Sequence, residues 1–172
     1  MKYQLLSHPN TIRSKFMKRF VMSYEEFCAL YPDTRISETS YHSLYMWDRM
    51  IDRYEQITFE MALKMLRNKG DNVIFISESQ DVSAYYHCEM QNWWEDINGA
   101  AATADMAELV ERISYEWYTS YEMWEQGCQF EDYLLPDDLY VFDDTYSWCI
   151  IFTHETVDYS EKAEARLCFC IN

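Results

Sequence analysis

Glycine and proline are scarce in this chain: its 172 residues contain three of each. So few helix- and strand-breaking residues argue against a loop-rich or repetitive architecture. Three glycines also make a phosphate-cradling glycine-rich loop difficult to build. Neither a Gly-x-Ser-x-Gly nucleophile motif nor a His-Glu-x-x-His metal motif is present. We therefore predict a protein that is not an enzyme and that needs no cofactor.

Long apolar runs and paired cysteines are missing as well. No apolar run approaches the roughly 18 residues that a membrane span requires. The first residues are followed at once by polar residues and Pro9, a pattern unlike that of a signal peptide. None of the six cysteines belongs to a Cys-x-x-Cys pair, which favours reduced, mostly buried thiols. We predict a cytoplasmic protein that does not enter a membrane.

Basic residues are rare in the second half of the chain. Residues 1–70 contain 11 Lys and Arg against 8 Asp and Glu, whereas residues 71–172 contain 3 against 22. The total formal charge is −16. A field of this sign disfavours direct contact with nucleic acid, and it favours a basic protein partner that associates rapidly and salt-sensitively. The alternative is that the acidic surface only keeps an aromatic-rich protein soluble.

Aromatic and β-branched residues are abundant near the C-terminus, where they predict strands. Residues 139–142 and 148–153 read as a hairpin around the turn-prone Asp143 and Asp144. Residues 166–171 extend this hairpin into a meander, and residues 73–77 are typical of a central strand. We therefore expect a small, mainly antiparallel sheet of about four strands.

Helical patterns occupy most of the remaining chain. With 49% hydrophobic residues, the chain is long enough to form one domain, residues 1–172, with a proper core. Helices first and a meander last predict an α+β fold, with the N-terminal and central helices packed on the sheet. The first helix is predicted over 11–20, with Phe16 and Phe20 as anchors, and the second after a capping box at Ser23. Residues 40–68 are predicted to be helical in two pieces that meet near Thr58. Further helices are predicted over 82–94 and over 100–126, and Gly127 is expected to end the last one.

The longest predicted helix carries two sets of residues on opposite sides. The first set, the apolar stripe, contains Met106, Leu109, Val110, Ile113, Trp117, Tyr121 and Trp124. The second set, the acidic face, contains Glu108, Glu111, Tyr115, Tyr118, Glu122 and Glu125. A solvated face would explain the glutamates alone. Tyrosine is, however, enriched at interfaces, and no Lys or Arg follows Glu111, Glu122 or Glu125 at i+4 to offset its charge.

Pairs of carboxylates recur after this helix, at residues 131–132, 137–138 and 143–144. Such pairs could bind a divalent cation, but their spacing does not match an EF-hand loop. Cys168 and Cys170 share one face of a strand and could be joined by His154, although zinc needs four closely spaced ligands. We predict no metal site. The carboxylates are then expected to continue the acidic surface of the helix, and the cysteines to lie in the core.

The hairpin also carries a resemblance. The residues Leu-Pro-Asp-Asp-Leu-Tyr-Val-Phe-Asp at 135–143, then Trp148, then Phe-Thr-His-Glu at 152–155, resemble the ending of small bacterial proteins that are similar to immunity proteins of polymorphic and contact-dependent toxin systems. The resemblance covers about twenty residues. It implies a non-enzymatic protein that binds one cognate toxin, often a basic nuclease, and blocks its active site or substrate surface.

These observations predict a soluble binding protein that inhibits a basic partner, most simply a cognate toxin. One alternative is an acidic inhibitor from a phage or mobile element that mimics nucleic acid to block a bacterial defence complex. Another is a metal-dependent enzyme that uses the acidic loops. The predicted partner-binding residues are Glu108, Glu111, Tyr115, Tyr118, Glu122, Glu125, Asp143 and Asp144.

Overall fold

The computed structural model describes residues 1–51, 54–70, 72–78, 100–158 and 164–172. Within these ranges the chain forms five α-helices, one short 3₁₀-helix and seven strands. In chain order they are β1 (Tyr3–Leu5), α1 (Pro9–Phe20), α2 (Tyr24–Leu30), α3 (Glu38–His42), the 3₁₀-helix (Trp47–Arg49), β2 (Tyr54–Ile57), α4 (Phe59–Arg67), β3 (Asn72–Ser77), β4 (Ala101–Asp105), α5 (Met106–Glu125), β5 (Leu139–Phe142), β6 (Cys149–Asp158) and β7 (Glu164–Ile171).

The seven strands form one sheet in the order β1-β4-β3-β5-β6-β7-β2, and every recorded pairing is antiparallel. The predicted α+β class is confirmed. The sheet is larger than the four strands that we expected, since β1, β2 and β4 join it. The predicted meander is present as β5, β6 and β7, with β5 paired to β6 from Leu139↔Phe152 to Phe142↔Cys149. The predicted central strand is β3, between β4 and β5.

The sheet divides the core into two layers, because successive side chains of a strand point to opposite faces. In β5, Leu139 and Val141 pack in the cluster that contains α4 and α5. Tyr140 and Phe142 pack in the cluster that contains α1 and the 3₁₀-helix. The helix α5 therefore lies on the opposite side of the sheet from α1.

In the N-terminal half, the structure contains the helix caps and the buried anchor residues that the local sequence indicates. Phe16 and Phe20 are fully buried beneath α1, as predicted, although this helix starts at Pro9 after His8 rather than after Asn10. The capping box at Ser23 is confirmed, with reciprocal bonds between Ser23 and Glu26. Thr58 caps α4 by accepting a bond from the Met61 N–H.

The prediction that 100–126 is a single helix was wrong at its N-terminal end. Residues Ala101–Asp105 form β4, between β1 and β3. Alanine has the highest intrinsic helix propensity, so the run of alanines resembled the start of a helix. In the folded chain Ala102 and Ala104 are buried against α5 and α4, and the pairing with two neighbouring strands outweighs the local preference. The helix α5 then runs from Met106 to Glu125.

The prediction of helix over 40–57 was wrong as well. Among the described residues of this range, the helical ones belong to the end of α3 and to the 3₁₀-helix, and β2 forms the last part of the range. β2 pairs with β7 at the edge of the sheet, and its first three residues are exposed. An edge strand with so little burial has no clear alternating pattern, which explains why the sequence did not reveal it. The helix predicted over 82–94 lies outside the described residues.

None of the helices in the described ranges has both the length and the apolar composition that crossing a bilayer requires.

Candidate functional site

The helix α5 is capped at both ends, by a side chain at its start and by the backbone at its end. At its start, the Asp105 carboxylate accepts bonds from the N–H groups of Ala107 (2.9 Å) and Glu108 (3.1 Å). At its end, Gly127 has a φ of 70°, and the Cys128 N–H reaches the Met123 carbonyl at 2.8 Å. This left-handed terminating turn is the reason for glycine at position 127. Gly127 ends the helix as predicted.

Only the first half of the apolar stripe is buried. Met106, Leu109, Val110 and Ile113 pack against the sheet and α4. Burial decreases from there, and the last residue of the stripe, Trp124, is 62% exposed. The C-terminal end of the apolar stripe therefore lies at the surface. The second half of α5 is aromatic on both sides.

The acidic face lies at the surface along the length of α5. Glu111, Glu122 and Glu125 are exposed, and Tyr115 and Tyr118 are 45% and 48% exposed. Glu108 is half-buried and accepts a bond from the backbone N–H of Lys2 at 2.6 Å. Helical periodicity thus places these six side chains on one face, which is the arrangement that a binding surface of carboxylates and rings requires.

Both tyrosines of the acidic face have ordered rings. Tyr118 meets the buried ring of Phe59 edge-on, with centroids 5.9 Å apart at 80°. Tyr115 meets Phe130 edge-on at 6.1 Å, and the guanidinium of Arg112 lies 5.2 Å from its centroid. Rings that neighbouring rings already hold lose little conformational entropy when a partner covers them.

The glutamates of this face are not neutralised from within the described part of the chain. No ion pair there involves Glu111, Glu122 or Glu125. The nearest basic side chain on the helix, Arg112, pairs with the buried Glu116, and it lies 3.6 Å from Asp132. The negative potential of the face therefore extends into solvent.

Glu116 belongs to neither predicted set, and it fastens the segment after α5 to the helix. It is 5% exposed and accepts bonds from the N–H groups of Leu134 (2.7 Å) and Leu135 (3.1 Å), and from Arg112 Nε. Burial raises the pKa of this carboxyl, and the bonds from Leu134, Arg112 and Leu135 oppose the shift. In the sequence, Glu116 lies between the two sets of helix residues, and no local pattern predicts that it holds the following segment against the helix.

Asp143 and Asp144 lie in the turn between β5 and β6, and Asp144 is exposed. The Asp143 carboxylate accepts bonds from Thr145 and from the N–H and hydroxyl of Ser147. Burial alone would raise its pKa, but these bonds outweigh burial and lower it. The recorded contacts of the turn with the rest of the chain run to α1, through Arg19 Nε and the Tyr146 carbonyl at 3.2 Å. The six residues of the acidic face form one surface, whereas this turn lies against another helix.

The other acidic loops have separate partners. Asp132 lies near Arg112, and Asp138 pairs with His154. No group of three or more His, Cys, Asp or Glu side chains in the described ranges is arranged to hold a metal ion. Cys168 is buried on the α5 side of the sheet, where burial raises its pKa to about 12. His154 instead contacts Tyr45, whose neighbour Trp47 lies on the α1 side.

A buried polar cluster on the α1 side was not predicted from the sequence. Glu78 follows β3 and accepts bonds from the Met46 N–H at 2.8 Å and from the Tyr140 hydroxyl. The Trp47 N–H donates to the same hydroxyl at 3.1 Å, and Arg13 donates to the Glu78 carbonyl at 3.1 Å. Burial raises the pKa of Glu78 to about 7, against the opposing effect of the Tyr140 and Met46 bonds.

Next to this cluster, Asp138 orients His154. The His154 N–H and its ring Nδ1 contact the Asp138 carboxylate at 2.9 and 3.0 Å. The β6–β7 register shifts between Phe152 and Thr156, so His154 lies in a bulge, a feature that re-aims side chains. An imidazole held in this way can accept or donate a proton through its second nitrogen. No hydrogen bond in the described part of the chain joins it to a Ser, Cys or Lys nucleophile.

Comparison of the chain with protein-family models, with curated proteins and with solved structures finds no match.

Proposed function

We propose that this chain is a non-enzymatic binding protein that inhibits a basic protein by covering it with the acidic face of α5. The observation that carries the proposal is the pairing of ordered, half-exposed rings with unneutralised glutamates. Tyr115 packs edge-on against Phe130, and Tyr118 packs edge-on against Phe59. Glu111, Glu122 and Glu125 lie on the same helix face and form no ion pair within the described ranges. Tyrosine supplies affinity at the centre of interfaces, and carboxylates accelerate the encounter with a basic surface.

The simplest partner is a cognate toxin whose active or substrate-binding surface is basic, as it is in a nuclease. The resemblance at residues 135–155 supports this form of the proposal. Inhibition would be steric and electrostatic, because glutamates among flat rings present the charge and stacking surface that a nuclease otherwise finds on its substrate. Both proteins would meet in the cytoplasm of the producing cell.

The test is affinity capture from the native host, identification of the captured protein by mass, and measurement of its affinity for three variants. We expect Glu111→Arg, Tyr118→Ala and Glu122→Arg each to weaken binding by about tenfold or more, the effect of an interface hot spot. The matched control is Lys15→Ala with Lys18→Ala, on the exposed side of α1 across the sheet. Unchanged binding in all three α5 variants would rule out this surface.

The identity of the captured protein also separates this function from its nearest alternative. A phage or mobile-element inhibitor would use the same chemistry, but it would capture a subunit of a defence complex in place of a toxin. An enzyme that uses the acidic loops as a metal site would behave differently from both. It would show a rise in Tm with Mg²⁺, Mn²⁺ or Zn²⁺, whereas we expect no rise with any of the three.

A further inference from the structure

The helix α4 lies beside α5 on the same side of the sheet and runs in the opposite direction. At its start, the ring of Phe59 meets the rings of Trp117 and Tyr118 on α5, at centroid distances of 5.6 and 5.9 Å. At its end, α4 leads into β3, whose first residue Asn72 pairs with Asp105, the N-cap of α5. The first turn of α4 therefore flanks the second half of α5, and the last turn of α4 flanks the first half.

The first turn of α4 continues the acidic face of α5. Glu60 follows Phe59 directly and is exposed. Burial raises the pKa of the Tyr118 hydroxyl, and the charge of Glu60 raises it further, so this carboxylate lies near the phenol. Glu60 forms no ion pair within the described ranges. The next residue, Met61, is 45% exposed, close to the 48% of Tyr118. This turn thus presents a carboxylate and exposed apolar surface beside a ring of the acidic face.

The charge changes sign along α4. Lys64 and Arg67 lie in its last turn, and both are exposed without an ion pair in the described part of the chain. Because this end flanks the first half of α5, its positive charge opposes the negative potential around Glu111. Glu60 instead adds negative charge beside the second half of α5, where Glu122 lies. The two helices therefore form one surface whose two ends differ in charge.

We propose that the partner-binding surface extends from α5 onto the first turn of α4, where Glu60 and Met61 contact the basic partner. The inference rests on the proposed function, because it assigns further contact residues to the same partner. Charge complementarity identifies the occupant, since a basic surface that covers Tyr118 also meets Glu60. An exposed methionine adds a flexible apolar contact of the kind that binding surfaces use. An acidic occupant would instead favour Lys64 and Arg67, at the other end of α4.

The charge pattern can be measured on the full chain without any partner. The probes are two small nitroxides, the cationic aminomethyl-PROXYL and the neutral carbamoyl-PROXYL, whose paramagnetic effect on each backbone amide reports how often the probe comes close. We expect the effect of the cation to exceed that of the neutral probe by about twofold or more at residues 60–61 and 118–125, and to show no excess at 64–67. An excess at 60–61 that is no greater than at 64–67 would overturn the inference.

The contacts are tested with the partner that the wild-type chain captures. Glu60→Gln should lower the association rate constant, because it removes a steering charge. Met61→Ala should raise the dissociation rate constant, because it removes apolar contact area. The double variant should bind about fivefold or more weakly. The matched control is Glu25→Gln with Leu30→Ala, which removes an exposed carboxylate and a 40% exposed apolar side chain from α2 and should leave the affinity unchanged.

The outcomes separate this inference from the proposed function. If Glu111→Arg, Tyr118→Ala and Glu122→Arg weaken binding but the α4 double variant does not, α4 lies outside the interface and only this inference is lost. If the α4 double variant weakens binding and the three α5 variants do not, the acidic face is not the binding surface, and both claims fail. Equal losses in the α4 double variant and the α2 control would show a general effect of charge and would also overturn the inference.

Discussion

Glu78 is the clearest case of a residue whose role depends on distant parts of the chain. Its carboxylate accepts from Met46 and Tyr140, and its carbonyl accepts from Arg13. These partners come from three places, namely α1, β5 and the segment before the 3₁₀-helix. The residues that neighbour Glu78 in the sequence therefore do not predict these contacts. Ser23 and Thr58, in contrast, were predicted correctly, because each cap bonds to an N–H only three residues away.

The raised pKa of Glu78 predicts a pH dependence of stability. In the folded chain this carboxyl keeps its proton up to about pH 7, whereas its ordinary pKa is 4.5. Between these values the folded state binds more protons than the unfolded state, so the free energy of unfolding falls as pH rises, by about 1.4 kcal/mol per pH unit at most. Glu78→Gln, which resembles the protonated form, should remove this part of the slope.

Urea unfolding at pH 5.5 and pH 8 measures that slope, and both values lie above the sequence pI of about 4.5. We expect the wild-type chain to lose about 2 kcal/mol more than Glu78→Gln over this range. Glu111→Gln, at an exposed carboxylate of α5, serves as the control and should follow the wild type. Parallel slopes for the wild type and Glu78→Gln would contradict the assignment.

Glu116 predicts a large loss of stability at a single residue. Glu116→Ala would leave Arg112 without its buried partner and the N–H groups of Leu134 and Leu135 without an acceptor. Breaking one side of such a pair costs about 3–5 kcal/mol. Glu122→Ala, on the same helix but exposed, should change the free energy of unfolding by about 0.5 kcal/mol or less. Equal urea midpoints for the two variants would show that Glu116 has no anchoring role.

At the scale of elements, the boundary between β4 and α5 shows what the sequence could and could not reveal. The C-terminal end of α5 was predictable, because Gly127 is a local signal for a left-handed terminating turn. Its start was not, because Ala101–Asp105 is a strand only through its pairing with β1 and β3. The hairpin of β5 and β6 was predictable for the opposite reason, since its strands are aromatic and β-branched and its turn is short.

Asp105 is the residue at which the strand ends and the helix begins. Its carboxylate satisfies the N–H groups of Ala107 and Glu108, so Asp105→Ala should destabilise the chain by about 1 kcal/mol. Asp105→Asn keeps an acceptor at this position and should cost much less. Thermal unfolding of the two variants compares them directly, and an Asn variant as destabilised as the Ala variant would show that capping is not the function of this side chain.

At the scale of the whole molecule, the sheet separates two helices of opposite charge. α1 contains Arg13, Lys15, Lys18 and Arg19 and no acidic residue, whereas α5 on the other side contains five glutamates and one arginine. The sequence showed that charge differs between the two halves of the chain. That the basic α1 and the acidic α5 lie on opposite sides of the sheet follows from the topology, which no local pattern encodes.

This asymmetry predicts how salt affects binding to the captured partner. Raising the NaCl concentration from about 0.05 to 0.5 M shortens the screening length well below 10 Å. The association rate constant should therefore fall by about tenfold or more, while the dissociation rate constant changes little, because steering acts before contact. Surface plasmon resonance at several salt concentrations separates the two rates. A dissociation rate that carries most of the salt effect would contradict electrostatic steering.

Carboxyl footprinting of the complex tests the central claim most directly. A carbodiimide and a labelled amine modify exposed carboxylates, and mass spectrometry reports the labelling of each residue in the free chain and in the complex. We predict that labelling of Glu111, Glu122 and Glu125 falls by about fivefold or more on binding, while Glu25 and Asp33, which are exposed in and after α2, are labelled as before. Unchanged labelling on α5, with protection elsewhere, would contradict the claim that the acidic face binds the partner.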